Sequence, residues 1–348
     1  MAKKLKVGFV GLGSIARNAH FPGWAEVQEA EIVAGADISK VARDATAQAL
    51  DLDDEMLFED YEEMINSVDL DIVDVCTPQK LHVDPTVMAF NAGCDVIVEK
   101  PAATSAENVQ KMIDAGKDAG KLLMVAQSMR YSPEPLALKR WVDEGLVGDI
   151  YWARASYLRS RGVPGRPSFI LDELSAGGPC YDLGVHILDL CLYLMGHPEP
   201  ATVSANVWVE ISDKPSVMTH DPDMFQVPDE LAAAFIRFAN GACISLETSW
   251  ALNMSGGSSH SVFLAGTEGG IQTNPATLTR EEAGMLTDTT VQVNPDEGRR
   301  AHTQEIVAFV DAVVNDKPSP VPGEDALLTQ RILDGIYESA RLGKEVGV

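Results

Sequence analysis

Short apolar runs, each ended by turn residues, alternate with segments of helical period through the first part of the chain. Leu5–Val10 is strand-like and is broken by Gly11-Leu12-Gly13-Ser14-Ile15-Ala16. Residues 31–36 form a second run ending at Asp37, and residues 71–76 a third that stops at Thr77-Pro78. A helical segment over 84–92 leads to Val96-Ile97-Val98, which ends abruptly in Glu99-Lys100-Pro101. A further run over 122–126 leads into Gln127. Continuous Val/Ile/Leu runs mark strands buried on both faces. Their alternation with helices predicts a parallel, doubly wound sheet.

Beyond residue 128 the pattern changes. A helical segment over 136–144 precedes a strand starting at Ile150. A strongly apolar helix is expected over Val185–Met195, and an antiparallel hairpin over Leu231–Phe238 and 242–250, joined by Asn240-Gly241. Asn-Gly suits a tight hairpin turn. In the second strand Ile244, Leu246, Thr248 and Trp250 alternate with Cys243, Ser245, Glu247 and Ser249, so one face is buried and the other solvated or in contact with another subunit. Helices over 302–315 and 324–342 close the chain. The expected fold class is α/β: a Rossmann dinucleotide-binding domain over 1–128, and an α+β domain over 129–348 with a large, open, mainly antiparallel sheet. Residues 212–228, around His220 and Asp221, read as a long irregular loop.

With 348 residues and 45% hydrophobic composition, the chain has length for about two domains. Its net charge of −25 disfavours nucleic acid or an anionic membrane as a general partner. No run is long enough for a membrane span and none resembles a signal peptide, so a cytoplasmic protein is expected. Five cysteines without CxxC spacing argue against a disulfide framework or a zinc ribbon, and no metal is expected. The grouping of Cys180, Asp182 and His186 has irregular spacing for zinc.

The glycine-loop pattern, GxGxxA after a strand, permits a tight turn and a close approach of backbone to a pyrophosphate at a helix N-terminus. By itself it is a weak signal. Asp37 lies 24 residues after Gly13, where an acidic residue on an adenosine ribose is expected. A carboxylate there favours NAD over NADP. Lys40 leaves NADP possible, although its plainer reading is a solvated residue of the first helical turn. Ligands of open α/β sheets sit beyond the carboxyl ends of the strands. That rule points Lys100 at a ligand and places Thr77, His82 and Gln127 near the same edge. Thr77 as a helix cap and His82 as a surface helix residue are the plainer alternatives.

Taken in order, the glycine loop, Asp37, Thr77-Pro78 and Glu99-Lys100-Pro101 give the chain a resemblance to the glucose-fructose oxidoreductase / inositol dehydrogenase family (Gfo/Idh/MocA). Gln127-Ser128-Met129-Arg130-Tyr131, the stretch from Gly177 to His186 with its Asp182-x-Gly184-x-His186 core, and Phe238-Ala239-Asn240-Gly241 extend it along nearly the whole chain. The resemblance implies an NAD(P)-dependent oxidoreductase acting on a sugar, inositol or related polyol, and a cis peptide before Pro101. It also implies a homodimer or homotetramer formed through the C-terminal sheet. Lys100, Asp182 and His186 would be catalytic. Gly11, Gly13, Ser14, Ile15, Asp37, Ile38, Thr77, Pro78, His82, Glu99, Lys100 and Gln127 would line the cofactor. Arg130, Tyr131 and Tyr157 would join Lys100, Asp182 and His186 on the substrate.

Alcohol oxidation needs a base for the hydroxyl proton and a cation for the developing alkoxide. An imidazole titrates near neutrality, which suits His186 to the first role, and Lys100 suits the second. Asp182 and His186, four apart, would share a helix face on which Asp182 orients the ring. A basic loop containing Arg159, Arg161 and Arg166 offers either a clamp for a substrate carboxylate or a merely solvated or interfacial segment. A non-catalytic dinucleotide-binding sensor and a methyltransferase are the competing readings. Neither needs both Lys100 and His186.

Overall fold

In the computed structural model, which describes residues 3–292 and 301–348, the chain forms two compact units. One takes in the chain to Ser128 and a later stretch ending at Leu327. The other begins at Met129 and closes with Leu328–Val348.

The first unit is built on a six-stranded parallel sheet, ordered β3-β2-β1-β4-β5-β6. Its strands are β1 (Leu5–Val10), β2 (Ala30–Ala36), β3 (Leu57–Phe58), β4 (Ile72–Val75), β5 (Asp95–Glu99) and β6 (Leu123–Ala126). Helices α1 (Phe21–Ala25), α2 (Lys40–Leu50), α3 (Tyr61–Ser67), α4 (Val83–Asn91) and α5 (Ala106–Ala119) connect them. Every residue of β4, β5 and β6 is buried, the charged Asp74, Asp95 and Glu99 among their apolar neighbours included. Strand order reverses between β1 and β4, which opens a crevice at the carboxyl ends of the strands.

Helix α9 (Ala301–Val314) also packs in this unit, although residues 302–315 were expected within the second domain. Its Ile306, Phe309 and Val310 are buried. Ile306 lies where a side chain at Gly23 would stand, so the glycine lets the two helices approach. After α9 the chain runs beside the edge strand β6, where Val125 N–H donates to Val321 O at 3.0 Å. An apolar helix face and an edge strand in need of a partner together bring this segment back to the first sheet.

The second unit carries a nine-stranded sheet ordered β14-β13-β12-β11-β7-β10-β9-β8-β15. The strands are β7 (Ile150–Arg159), β8 (Pro200–Trp208), β9 (Leu231–Phe238), β10 (Cys243–Ser249), β11 (Ser258–Gly266), β12 (Gly270–Gln272), β13 (Thr277–Glu282), β14 (Met285–Thr290) and β15 (Val346–Gly347). All pairings are antiparallel except β7 with β10. Helices α6 (Pro133–Asp143), α7 (Pro167–Ile170), α8 (Val185–Met195) and α10 (Gly323–Leu342) complete the set. The β9–β10 turn takes Gly241 to a φ of 90°, the left-handed region for which Asn-Gly is suited. Ile244, Leu246, Thr248 and Trp250 are buried, while Glu247 is exposed.

Helix α8 forms the centre of this core. Its Ile187, Leu188, Cys191 and Leu192 pack with Ala153 and Ala155 of β7, Ile236 of β9 and Ile244 of β10. Each fully buried Leu or Ile contributes about 1.5–3 kcal/mol, which fixes the helix firmly on the sheet. Residues 212–228 are irregular apart from one turn at Pro222–Met224. Their entry is pinned by Glu230, whose carboxylate accepts the backbone N–H groups of Glu210, Ile211 and Ser212.

Candidate active site

The parallel arrangement of β1, β4, β5 and β6 carries the glycine loop, Thr77, Lys100 and Gln127 to one edge of the first sheet. Gly11 has a φ of 92°, and a Cβ there would stand 2.7 Å from the carbonyl carbon of Cys76. Gly13 differs: nothing lies within 4 Å of its missing Cβ. The first glycine is thus demanded by the protein's own backbone, and the second leaves open space of the kind a pyrophosphate needs. Ser14 and Ile15 begin the following helix, whose next turn, Ala16–His20, is a π-turn.

Asp37 closes the loop from the side. Its Oδ2 accepts Leu12 N–H at 2.8 Å and its Oδ1 accepts Ser39 N–H at 2.8 Å. The carboxylate is therefore fixed at the end of β2, with Ile38 exposed beside it. Lys40 is turned to its own helix, pairing with Asp44 at 2.7 Å. These residues fit the adenosine end of NAD: an anchored acceptor for a ribose diol, and an open glycine cradle.

Thr77 donates its hydroxyl to Leu81 O at 3.1 Å, next to Pro78. His82 is buried and braces two loops, with Nε2 at 2.8 Å from Thr77 O and Nδ1 at 2.9 Å from Pro101 O. It is therefore not a surface residue, and both of its ring nitrogens face backbone carbonyls of these loops. Gln127 is buried as well, directly after β6. Lys100 is the one partly exposed residue between Cys94 and Ala103, and its peptide bond to Pro101 is cis. Glu99 points the other way: its carboxylate is buried, holding His20 at 2.9 Å and Lys100 N–H at 3.0 Å. Any contact of Glu99 with a cofactor is thereby left to its backbone.

In the second unit the same contrast recurs. From Gly177 to Leu192 every residue is buried except His186. The helix starts with a π-turn, Cys180–Gly184, that runs straight into α8. Asp182 on that turn is 8% exposed, and its Oδ2 accepts the indole N–H of Trp250 at 3.0 Å. Trp250 packs with Ile170, Leu183 and Val227, against which Tyr157 and Phe169 also lie.

Asp229, which the sequence reading missed, secures the turn. Its carboxylate accepts Gly178 N–H at 2.7 Å, Cys180 N–H at 3.1 Å and Tyr337 O–H at 2.7 Å. Burial raises its pKa above the ordinary carboxylate value, opposed by these three donors. A Cβ on Gly178 would stand 1.9 Å from Asp229 O, so the glycine pair permits this contact.

Arg130 takes a role different from the expected substrate contact. It is buried, and its guanidinium makes a two-pronged ion pair with Asp189, at 2.7 and 2.6 Å, beneath the Tyr193 ring. It thus ties the start of the unit to α8. Tyr131 is half-buried. Tyr157 is half-buried too, 5.2 Å from the His260 ring. Two arginines of the basic loop are engaged locally. Arg159 donates to Gly162 O, and Arg161 to Ser160 O, Leu252 O and Asn253 Oδ1.

One signal could have exposed the missed residues. Asp74 interrupts a buried apolar strand, Asp189 an apolar helix, and Asp229 precedes the apolar, half-buried β9. Acidic residues inside apolar runs are buried only when paired.

Residues 5–127 match the model of the oxidoreductase family with an NAD-binding Rossmann fold, and residues 136–272 match the GFO/IDH/MocA C-terminal domain. D-Glucoside 3-dehydrogenase of Escherichia coli (strain K12) is 32% identical over 98% of this chain and 97% of its own length. The NADP-dependent scyllo-inositol 2-dehydrogenase of Bacillus subtilis (strain 168) is 32% identical over 59% of this chain and 55% of its own. Levoglucosan dehydrogenase solved in complex with NADH superposes with a TM-score of 0.86 at 25% identity, covering 99% of both chains. Matches spanning both units, over an open glycine cradle at the carboxyl edge of the first sheet, place this chain in the Gfo/Idh/MocA family of NAD-binding oxidoreductases.

Proposed function

We propose that this protein is an NAD-dependent dehydrogenase that oxidises a secondary hydroxyl of a sugar, glycoside or polyol. The observation that carries the reading is the isolation of Lys100 and His186. Each is the only partly exposed position in a long buried stretch, and each is a residue whose charge suits alcohol chemistry.

Bound nicotinamide supplies the two-electron acceptor. Lys100 donates a hydrogen bond to the substrate oxygen and stabilises its alkoxide character. His186 accepts the hydroxyl proton. Asp182, held by Trp250 four residues before His186, is the residue that orients the imidazole. Gly11, Gly13, Ser14, Ile15, Asp37, Ile38, Thr77, Pro78 and Gln127 form the cofactor side, with His82 as the brace between two of its loops. Tyr131 and Tyr157 contribute to the sugar side.

The preference for NAD rests on Asp37. Its fixed carboxylate repels a 2′-phosphate, and Lys40 is paired with Asp44. A homodimer or homotetramer through the outer face of the second sheet is supported by Trp152, Phe235 and Phe263, half-buried aromatics on that face. Light scattering of the wild type and of Phe235→Glu tests it, with dissociation expected in the variant.

The decisive experiment follows reduced-nicotinamide absorbance while glucosides, free aldoses, anhydrosugars, inositols and uronates are offered with NAD and then NADP. Turnover that disappears in Lys100→Ala and His186→Ala supports the assignment. Tight NAD binding without turnover of any member favours a non-catalytic sensor.

A further inference from the structure

Beneath Lys100 lies a buried charge network that the proposed chemistry does not use. The π-turn Ala16–His20 directs His20 inward, where it is fully buried. Its Nδ1 is 2.8 Å from Asp74 Oδ2 and its Nε2 is 2.9 Å from Glu99 Oε1. An ionised carboxylate only accepts. Asp74 also receives Trp24 Nε1–H at 2.8 Å and the Cys76 thiol at 3.3 Å, and Glu99 receives Lys100 N–H on its other oxygen. Against the burial that disfavours charge on either group, Asp74 raises the pKa of His20 well above its ordinary value, and the hydrogen bond and charge of His20 lower that of Glu99, which favours an imidazolium held between two carboxylates.

Among the described residues, those whose ligating atoms lie close enough for a metal converge here, as His20 with Asp74 and Cys76 and as His20 with Glu99 and His302. Both nitrogens of His20 are engaged by carboxylates, and its raised pKa suits the ring itself to serve as the cation at this place.

We propose that His20 is a positioning residue for Lys100, clamping the Glu99 carboxylate beneath the Lys100 N–H and so joining the glycine-loop helix to the end of β5. The proposal rests on Lys100 acting on the substrate oxygen, as argued above. Its force comes from connectivity. His20 sits seven positions after Gly13, on the helix that follows the cofactor loop, and the network ends on the peptide that opens Lys100. Loss of the clamp leaves Glu99 a buried anion without its nearest cation, and its response is to take up a proton.

The groups facing His20 agree with this. Asp74 and Glu99 each place a carboxylate oxygen within 2.9 Å of a ring nitrogen. The Cys76 thiol is pushed up by burial and stays protonated. His302 lies 6.0 Å away, ring to ring, with its Nδ1 2.8 Å from Glu305 Oε1. Burial raises Glu305. The charges of Lys100 and His302 also act to lower Glu99.

The test uses His20→Phe and His20→Gln in the full chain, with Lys100→Ala as control, on whichever substrate turns over in the panel above. His20→Phe is expected to bind NAD within about threefold of wild type while kcat falls about tenfold or more, with KM little changed. Its kcat profile should gain an acid limb between about pH 5 and 8 as Glu99 protonates, and His20→Gln should recover part of the loss. Lower thermal stability with kcat and pH profile unchanged would make the role structural only and overturn the proposal. Nitrogen-15 NMR of wild-type His20 decides the matter even if neither variant folds: a doubly protonated ring at pH 8 supports the clamp, and a neutral ring at pH 7 overturns it. Full turnover by Lys100→Ala would instead defeat the assignment of Lys100, an outcome separate from the state of His20.

Discussion

Trp250 donates its indole N–H to Asp182 Oδ2 at 3.0 Å, inside a small apolar cluster. Removing that donor leaves a buried carboxylate short of a partner, a loss of about 1–3 kcal/mol. Trp250→Phe keeps most of the packing and should lower kcat about tenfold, with NAD affinity unchanged. Steady-state kinetics with a calorimetric NAD titration checks it. Equal turnover by wild type and variant would remove Asp182 from the proposed chemistry.

Gly11 and Gly13 should respond in opposite ways. Gly11→Ala forces a side chain into positive φ and against the Cys76 backbone, and is expected to cost several kcal/mol of stability. Gly13→Ala meets open space, so its melting temperature should match wild type while NAD binds at least tenfold more weakly. Thermal melts with and without NAD separate the two.

Asp37→Ser removes the carboxylate but keeps a hydroxyl. The preference for NAD over NADP should narrow by about one to two powers of ten, because the repulsion of a 2′-phosphate is gone. The ratio of kcat/KM for the two cofactors measures it. Asp44→Ala, which frees Lys40 from its partner, should shift the ratio further the same way.

Stability should depend on pH through His20 and Glu99. For Glu99, burial favours the neutral form, but the hydrogen bond and charge of His20 win and bring its pKa from 4.5 down to about 2. Its contribution is therefore present above pH 4.5 and lost as pH falls through 2, roughly 3 kcal/mol in all. For His20, burial opposes the charge, but Asp74 outweighs it and holds the pKa well above 6.5. Its contribution is complete below pH 6.5 and fades as pH rises through the raised value. The stability difference between wild type and His20→Phe in urea should thus be greatest between pH 4.5 and 6.5. A difference independent of pH would contradict the charged pair.

Asp229→Asn should loosen the turn that bears Asp182. The amide cannot accept from Gly178, Cys180 and Tyr337 together without facing one donor with another. A destabilisation of about 2–4 kcal/mol is expected, with faster amide exchange at 178–182.

Local pattern alone determined the parallel sheet, the glycine loop, the Asn240-Gly241 hairpin and the apolar helix through His186. Buried strands, tight turns and two-sided helices write their periods directly into neighbouring residues. The same pattern singled out Lys100, because an ammonium cannot follow six buried residues without a reason. The tertiary structure alone decided the rest. It returned α9 to the first unit, turned Glu99 away from the cofactor edge, gave Arg130 to Asp189, and brought Trp250 and Asp229 to the Asp182 turn. Each of these pairs joins residues far apart in the chain, where no period reaches. A buried charge declares in the sequence that it must have a partner. Which partner it takes is settled only when the elements pack.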